Sequence, residues 1–245
     1  MRVLLLGGTG EARALAAGLV EAGHAVVSSL AGRVRDPRLP VGEVRVGGFG
    51  GVAGLRAELA GFDAVVDATH PFAAVISANA AAACAAEQVP LLRLARPGWC
   101  SLPGADRWRW VGTSSEASAA AAAVGGPVLL TTGRQSLEEF VPALASASVL
   151  VRVVDPVQVE LPTGWRVLQA RGPYSLEGET ALMTEQGTSV LVTKDSGGNL
   201  TRPKLDAADA LGVAVVVVRR PEPPDGVAQV GDVAGAVAWV DALTR

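Results

Sequence analysis

The sequence is short of aromatic residues, cysteines and net charge, and each shortage excludes a class of protein. Aromatic side chains account for only 4% of the 245 residues, so Val, Leu and Ala must supply most of the core. The two cysteines, Cys84 and Cys100, are too few for the disulfide framework of a small secreted domain, and no CxxC spacing indicates a zinc or redox site. A net charge of −3 provides no basic field for nucleic acid.

Long hydrophobic runs are also missing. The apolar run at Val3–Leu6 is followed by glycines, whereas a signal peptide needs a longer apolar region and a cleavage site. No stretch approaches the roughly 18 consecutive apolar residues of a membrane span. Because 49% of the residues are hydrophobic and 18% are charged, the chain has enough apolar material for a folded core. We therefore expect a cytoplasmic protein with no membrane segment and no nucleic-acid partner.

Short apolar runs alternate with helix-like segments along the chain. Most of the runs are continuous, which is typical of parallel strands that are covered on both faces. The predicted strands are Val3–Leu6, Ala25–Leu30, Val44–Val46, Ala64–Ala68, Pro90–Leu94, Trp108–Val111, Val128–Thr131, Val149–Val153, Val167–Ala170, Ser189–Thr193 and Val213–Val218. The predicted helices are residues 11–22, 52–60, 73–87, 115–124, 135–146, 175–186, 199–211 and 232–243.

This alternation predicts an α/β fold with right-handed crossovers. The strands are too many for one compact sheet at this length. We therefore expect two Rossmann-like lobes, each a mostly parallel sheet flanked by helices, with the active site in the cleft between them. We assign residues 1–112 to the first lobe and residues 113–245 to the second. Exchange of late strands such as Val213–Val218 between the lobes stays open.

A glycine-rich loop follows the first predicted strand. Residues 7–13 read Gly-Gly-Thr-Gly-Glu-Ala-Arg, and a helix follows. Gly8 and Gly10 allow a tight turn and a close approach to a phosphate, while the helix N-terminus offers free N–H groups. Arg13 occupies the place of the usual third glycine and brings a guanidinium near the phosphates. We predict that these residues and Thr9 bind a dinucleotide pyrophosphate; the alternative is a tight turn that binds no ligand.

The second predicted strand ends where the adenosine ribose of such a cofactor would lie. An NAD site usually has Asp or Glu there, but no acidic residue occurs before Asp36. Ser29 and Arg33 suit a 2′-phosphate better than a free hydroxyl, so the sequence favours NADPH over NADH. The alternative for Arg33 is a solvated charge on a loop.

The residues for ordinary carbonyl reduction are absent. Short-chain dehydrogenases that open with a similar loop need a Tyr and a Lys four residues later, but the single tyrosine, Tyr174, is followed at that spacing by Gly178. No GxSxG nucleophile elbow and no metal-ligand spacing of His, Cys and Asp is present. We therefore predict no metal site, and a reduction other than that of a simple ketone.

The segment Asp67–Ala73 reads Asp-Ala-Thr-His-Pro-Phe-Ala and joins a predicted strand to a helix. Ligands of open parallel sheets bind at the carboxyl ends of the strands. We therefore expect Thr69 and His70 to lie near a nicotinamide or a substrate. The alternative for His70 is packing at the start of the helix, and the second histidine, His24, is expected to be structural.

Basic residues follow several strands in the second half of the chain. Arg134 lies in a Thr-Thr-Gly-Arg segment, Arg171 in Arg-Gly-Pro, and Lys194 in Thr-Lys-Asp-Ser-Gly-Gly. Together with backbone amides, such strand ends suit a ligand with several carboxylates. The predicted anion-binding residues are Arg134, Arg171, Lys194, Ser196, Gly197 and Lys204.

Taken together, these motifs resemble the precorrin-6A reductase family of cobalamin biosynthesis. The resemblance covers nearly the full length, with landmarks GGTGEAR at 7–13, SLAGR at 29–33, DATHPFA at 67–73, RLARPGW at 93–99, TTGR at 131–134, RGP at 171–173, TKDSGG at 193–198 and KLDAA at 204–208. It implies a two-domain α/β enzyme that transfers hydride from NADPH to the precorrin-6A macrocycle and forms precorrin-6B. The carboxylate side chains of this tetrapyrrole match the predicted anion sites.

The resemblance also implies roles and partners. The first lobe would hold NADPH and the second the macrocycle, and His70 and Asp195 are the candidates for the proton donor. Neighbouring enzymes of the cobalamin pathway are candidate partners.

Three other interpretations stay open. The first is the same reaction on the cobalt-containing intermediate. The second is a non-catalytic dinucleotide-sensing module, which would not need a second set of anion-binding strand ends. The third is a nucleotide-sugar epimerase or reductase, which would need the missing Tyr and Lys pair.

Overall fold

The computed structural model describes residues 1–32 and 38–244 and divides into two α/β units. The first unit comprises Met1–Pro97 with Pro221–Arg245, and the second comprises Gly98–Arg220. Each unit is built on one six-stranded parallel sheet, which confirms the predicted fold class. Across the described ranges, no helix is both long and apolar enough to cross a lipid bilayer.

Residues 1–32 and 38–97 form five strands and three helices. Their bounds are β1 Arg2–Leu6, α1 Gly10–Glu21, β2 Ala25–Leu30, β3 Glu43–Val46, α2 Val52–Leu59, β4 Ala64–Asp67, α3 Ala74–Glu87 and β5 Leu91–Leu94. Residues 33–37, which include the predicted phosphate-binding Arg33, lie outside the described residues.

The second unit follows with six strands and four α-helices. Their bounds are β6 Arg109–Val111, α4 Ser114–Val124, β7 Val128–Leu130, α5 Val141–Leu144, β8 Val149–Val153, β9 Trp165–Gln169, α6 Leu176–Gln186, β10 Val190–Lys194, α7 Pro203–Leu211 and β11 Ala214–Val218. Short 3₁₀ helices occupy Ala105–Arg107 and Leu137–Phe140. The chain then returns to the first unit with β12 Ala228–Val230 and α8 Val233–Ala242.

Both sheets have the strand order of a doubly wound fold. The first runs β3-β2-β1-β4-β5-β12, and the second runs β9-β8-β7-β10-β11-β6. In each sheet the order reverses once, between β1 and β4 in the first and between β7 and β10 in the second. The sixth positions are exchanged, because β6 follows β5 along the chain but pairs with β11, whereas β12 follows β11 but pairs with β5.

This exchange moves the predicted domain boundary. We expected the first lobe to end at residue 112, but β6 pairs with β11 through Val111 and Val218, so residues 98–112 belong to the second unit. The strand at Val213–Val218 stays in the second unit as β11. The element that crosses back is β12, which the sequence analysis missed because it has three residues and a polar Gln229 at its centre.

The cores explain why the strands read as continuous apolar runs. In β1, Val3 and Leu5 pack with α1 and α8, while Leu4 and Leu6 face the opposite side with α2 and α3. A strand that is covered on both faces has no solvent side and therefore shows no polar alternation. Each fully buried Val or Leu stabilises the fold by about 1.5–3 kcal/mol relative to an exposed one.

The two cysteines differ in environment, and this difference predicts their reactivity. Cys84 is buried among the side chains beneath α3, and burial raises the pKa of its thiol to about 11. Cys100 is exposed. Because the thiolate is the nucleophile, we expect one equivalent of a disulfide reagent to react at pH 8 in the native protein, and a second only after unfolding. Reaction of the one remaining thiol, that of Cys84, in native Cys100→Ser would contradict this burial; native Cys84→Ser should react with one equivalent, as the wild-type protein does.

Candidate active site

The glycine loop lies at the reversal point of the first sheet. β1 ends at Leu6, and α1 begins at Gly10 after a turn in which Gly8 has a φ of +110°. Thr9 caps the helix, because its hydroxyl oxygen accepts a hydrogen bond from Ala12 N–H at 3.0 Å. The same hydroxyl donates to the carbonyl of Ala68 at 2.8 Å. Thr9 therefore joins the loop after β1 to the loop after β4.

The loop has the features that a dinucleotide pyrophosphate needs. A Cβ added at Gly8 would have no heavy atom within 4 Å, so the backbone is open to a ligand. The first N–H groups of α1 have no partner within the helix and carry its positive dipole end. Glu11, in the first turn, would oppose an anion, but Arg96 binds its carboxylate at 2.6 Å. Arg13 lies half-buried in the same turn, where its phosphate contact stays a prediction.

A buried ion pair holds the loop after β4. The Arg93 guanidinium on β5 binds the carboxylate of Asp67, and it also donates to Ser77 Oγ on α3 at 2.6 Å. The other Asp67 oxygen accepts from the Thr69 backbone N–H at 3.0 Å and from its hydroxyl at 2.6 Å. Thr69 is thus fixed by the fold. The sequence analysis missed Arg93, whose only signal is a single charge inside an apolar strand.

His70 follows on this loop and is exposed. Its Nδ1 accepts a hydrogen bond from the Phe72 backbone N–H at 3.2 Å. A backbone N–H only donates, so Nδ1 is unprotonated and the neutral ring carries its proton on Nε2. The loop therefore presents His70 as a hydrogen-bond donor through Nε2. His24, by contrast, is buried and bridges to Asp241 of α8 at 2.8 Å.

Strand β3, which pairs with the carboxyl end of β2, carries a second residue that the sequence analysis missed. Ser29 is buried, and its hydroxyl accepts a hydrogen bond from Arg45 Nη1 on β3 at 2.8 Å. The Arg45 guanidinium lies 4.0 Å from the centre of the Phe49 ring. A positive charge is thus present at the predicted ribose end of the site, independently of Arg33.

The second sheet repeats this arrangement at its own reversal point. Thr131, after β7, donates from both its backbone N–H and its hydroxyl to the carbonyl of Val192 on β10. The Thr-Thr-Gly-Arg loop is thereby tied to the strand that leads into Lys194. Within the loop Gly133 has a φ of +80°, and an added Cβ there would meet no heavy atom within 4 Å.

The loop after β7 contains polar groups that can form further hydrogen bonds. The buried hydroxyls of Thr132 and Ser136 have no hydrogen-bond partner among the described residues. Arg134 donates to the carbonyl of Pro156 at 3.4 Å and lies 3.9 Å from the Asp155 carboxylate. Buried hydroxyls are nearly always satisfied in folded proteins, so this loop suits a polar ligand.

The β10 loop contributes Lys194 and the residues that follow it. Burial lowers the pKa of Lys194, and the charge of Glu139 partly opposes this effect. Ser196 lies within hydrogen-bonding distance of the Thr201 hydroxyl, at 3.3 Å, and Gly197 has a φ of +63°. The left-handed backbone at Gly197 and at Gly198 turns the loop back over the strand end.

Two predicted site residues have structural contacts. Lys204 is buried, donates to the carbonyl of Thr201 at 2.8 Å and lies 4.7 Å from the centre of the Trp99 ring. Asp195 accepts from the Trp99 backbone N–H at 3.0 Å and from Arg220 at 3.1 Å. Both of these hydrogen bonds are made by groups of the second unit itself. Both residues thus contact Trp99 within the second unit, and their predicted site roles stay predictions.

Arg171 stands on a loop that is anchored by a buried cluster. Tyr174 donates its hydroxyl to the carbonyl of Ala170 at 3.0 Å, and its ring lies 4.0 Å from the Arg152 guanidinium. Arg152 in turn binds Glu179, and both are almost fully buried. Burial raises the pKa of Tyr174, while the Arg152 charge lowers it and Glu179 raises it. The single tyrosine is therefore part of the loop's support.

The comparisons with known proteins agree with this geometry. The family model described as precorrin-6x reductase CbiJ/CobK matches residues 2–241. The chain belongs to this family. It is 51% identical over 247 residues to the precorrin-6A reductase of Rhodococcus erythropolis, which covers 100% of this chain and 99% of the relative. The resemblance that the sequence motifs indicated is thereby confirmed.

Two further family members mark the range of similarity. The cobalt-precorrin-6A reductase of Priestia megaterium is 32% identical over 90% of this chain and 91% of its own length. The solved structure titled CobK precorrin-6A reductase is 39% identical, covers 99% of this chain and 97% of its own, and has a TM-score of 0.92. The fold described above is therefore the fold of the family, and a reductase of this kind uses a nicotinamide cofactor.

The buried pair Asp67 and Arg93 predicts a large stability effect. Replacing Asp67 by Ala should lower the free energy of unfolding by about 3–5 kcal/mol, because Arg93 is left as an unpaired buried charge. Urea denaturation measures the change. The matched control is Glu87→Ala, whose exposed pair with Arg56 should contribute about 1 kcal/mol or less. Equal losses in the two variants would contradict the assignment, and Arg93→Met added to Asp67→Ala should restore part of the stability.

Proposed function

We propose that this chain reduces the precorrin-6A macrocycle to precorrin-6B in cobalamin biosynthesis, with NADPH as the hydride donor. The observation that carries the proposal is that strand order reverses at two points in the chain, and the loops at these two points offer different binding groups. The first has a glycine loop and a helix N-terminus, which suit a pyrophosphate. The second has basic residues and unpartnered hydroxyls, which suit carboxylates.

The first unit would hold the cofactor. Gly8, Thr9 and Gly10 offer backbone N–H groups to the pyrophosphate, and Arg13 adds a charge to the same end of α1. Ser29 and Arg33 belong to the ribose end, as the sequence indicated. When bound, NADPH supplies the hydride, and the protein supplies its position and surroundings.

Thr69 and His70 lie on the loop that Thr9 joins to the glycine loop, so they are the residues closest to the expected nicotinamide end. The reduction adds a hydride to one carbon of the macrocycle and requires one proton. Of the two candidate donors, the contacts of Asp195 leave His70 as the one we retain. Because Nδ1 of the neutral ring accepts from the Phe72 N–H, His70 can act as the acid only after Nδ1 takes up a second proton, which breaks that hydrogen bond.

The second unit would hold the macrocycle by its carboxylates. We assign this role to Arg134, Arg171, Lys194, Ser196 and Gly197, which lie on the loops after β7, β9 and β10. Lys204 supports the β10 loop from beneath and is removed from the set of direct contacts. A tetrapyrrole with many carboxylates would engage several of these loops at once.

The metal-free intermediate is the better candidate for the substrate. The relative named precorrin-6A reductase is 51% identical to this chain, whereas the one named cobalt-precorrin-6A reductase is 32% identical. The polar second reversal point also counts against a module that only senses a dinucleotide, because sensing gives no reason for a second set of ligand groups.

The test is to incubate the protein with NADPH and precorrin-6A and to follow the tetrapyrrole absorption spectrum together with oxidation of the cofactor. We expect both to change in equal molar amounts. A parallel incubation with cobalt-precorrin-6A decides between the two branches by its relative kcat/KM. Binding of NADPH by folded protein with no spectral change in either substrate would contradict the proposal and favour the sensor.

Lys194 provides a prediction for the substrate side. Lys194→Ala should raise the KM for precorrin-6A by about 10- to 100-fold, since a charge-assisted hydrogen bond contributes about 1.5–3 kcal/mol. The Kd for NADPH, measured by calorimetry, should not change. The matched control is Arg166→Ala, which removes an exposed cation of the same unit. Arg166 lies near the amino end of β9, whereas Lys194 lies at the carboxyl end of β10. If Lys194→Ala weakened only the binding of NADPH, the assignment of Lys194 to the macrocycle would be wrong.

A further inference from the structure

We propose that Arg45, held by Ser29, binds the 2′-phosphate of the cofactor and makes this enzyme select NADPH over NADH. The inference rests on the proposed binding of a nicotinamide dinucleotide by the first unit. It adds a residue that the sequence motifs did not indicate, and it explains how the ribose end of the site acquires its charge.

The position of the pair follows from strand register. Ser29 and Arg45 are direct partners across β2 and β3, and each is the last residue but one of its strand. Directly opposite residues share one face of a sheet, so both side chains lie on the same side. The carboxyl end of β2 is where a Rossmann-type fold places the adenosine ribose, and an Arg there accommodates a 2′-phosphate.

The Arg45 side chain is held before any ligand arrives. Its Nη1 donates to Ser29 Oγ at 2.8 Å and to the carbonyl of Gly47 at 3.4 Å. Its guanidinium also lies 4.0 Å from the centre of the Phe49 ring, which stabilises a cation over an aromatic face. A long side chain that is already ordered loses little conformational freedom on binding, so more of the interaction energy appears as affinity.

Ser29 and Arg45 can each donate a further hydrogen bond. Ser29 is 94% buried, and its oxygen accepts from Arg45, which leaves its hydroxyl proton available. Within residues 1–32 and 38–244, Arg45 Nη2 has no hydrogen-bond partner. A phosphate has several acceptor oxygens and is recognised by Arg through paired N–H donors. A hydroxyl and a guanidinium N–H side by side therefore form a fitting site for it.

A purely structural role for Arg45 is the competing explanation. Within the described ranges Arg45 has one ion-pair partner, Glu58, whose carboxylate lies 3.9 Å from Nε on a side chain that is 43% exposed. An ion pair of this length and exposure is weak, so it leaves most of the Arg45 charge uncompensated. A tie between β2 and β3 would need only the bond to Ser29 and would not distinguish one nucleotide from another.

The experiment measures nucleotide binding to the full chain by calorimetry with two probes that differ only in the 2′-phosphate. These probes are adenosine 2′,5′-bisphosphate and 5′-AMP. We expect the wild-type protein to bind the bisphosphate more tightly. Arg45→Met keeps an apolar stem over Phe49 and should weaken bisphosphate binding by about 10- to 100-fold, with the 5′-AMP affinity changed by less than about 3-fold.

Further variants separate charge, geometry and folding. Arg45→Lys retains the charge without the planar fork and should show an intermediate loss, and Ser29→Ala should weaken only the bisphosphate, by about 2- to 10-fold. The matched control is Arg56→Met on α2, which removes an exposed cation of the same unit and should change neither affinity. Thermal unfolding of each variant confirms that the site is folded; if Arg45→Met does not fold, Arg45→Lys provides the comparison.

The outcomes distinguish this inference from the proposed function. If Arg45→Met keeps the wild-type preference for the bisphosphate, or loses both ligands equally, Arg45 has a structural role and the inference is wrong while NADPH use stands. If the wild-type protein shows no preference for the bisphosphate, both the NADPH assignment and the role of Arg45 are overturned.

Discussion

In each sheet, the loops after two adjacent parallel strands lead to helices on opposite faces of the sheet. The two loops therefore diverge and leave a crevice at the carboxyl ends of the strands. This arrangement occurs once in each unit of the chain. Between β1 and β4 it brings the glycine loop against the Asp67 loop, which Thr9 joins through the carbonyl of Ala68. Between β7 and β10 it brings the Thr-Thr-Gly-Arg loop against the Lys194 loop, which Thr131 joins through the carbonyl of Val192. Residues that are about 60 positions apart in sequence thus become neighbours for the same topological reason in both units.

Buried acid–base pairs keep these crevices in shape. Asp67 with Arg93 supports the β4 loop, Asp195 with Arg220 supports the β10 loop, and Arg152 with Glu179 supports the loop that carries Arg171. Buried pairs of this kind contribute little net stability compared with apolar residues, yet they are costly to break on one side. Their value here is in fixing loop geometry. Asp195 shows this most directly, because it binds both Trp99 and Arg220, near the first and last residues of the second unit.

Local sequence signals predicted the first strand, the glycine loop, the helix that follows it and the two-sheet α/β class, because glycine positions and apolar runs act within a few residues. Partners distant in the chain left no such signal. Arg45 is one charged residue in a short strand, and only the strand register shows that it lies opposite Ser29. Lys204 and Asp195 were predicted as site residues from their charge and motifs, and only the structure shows that both contact Trp99. The three-residue β12 is too short for any periodicity, so it was missing from the predicted strands.

The exchange of sixth strands has a consequence for synthesis on the ribosome. The second unit occupies one continuous stretch, Gly98–Arg220, so all six of its strands have emerged before the last segment is translated. The first unit starts earlier but finishes later, because β12 and α8 come from the final residues. During translation β5 is therefore an uncovered sheet edge, and Val3 and Leu5 lack the apolar cover that α8 later provides. The first unit is thus completed only when β12 and α8 are available, and a truncation that removes them would damage the unit that is encoded first.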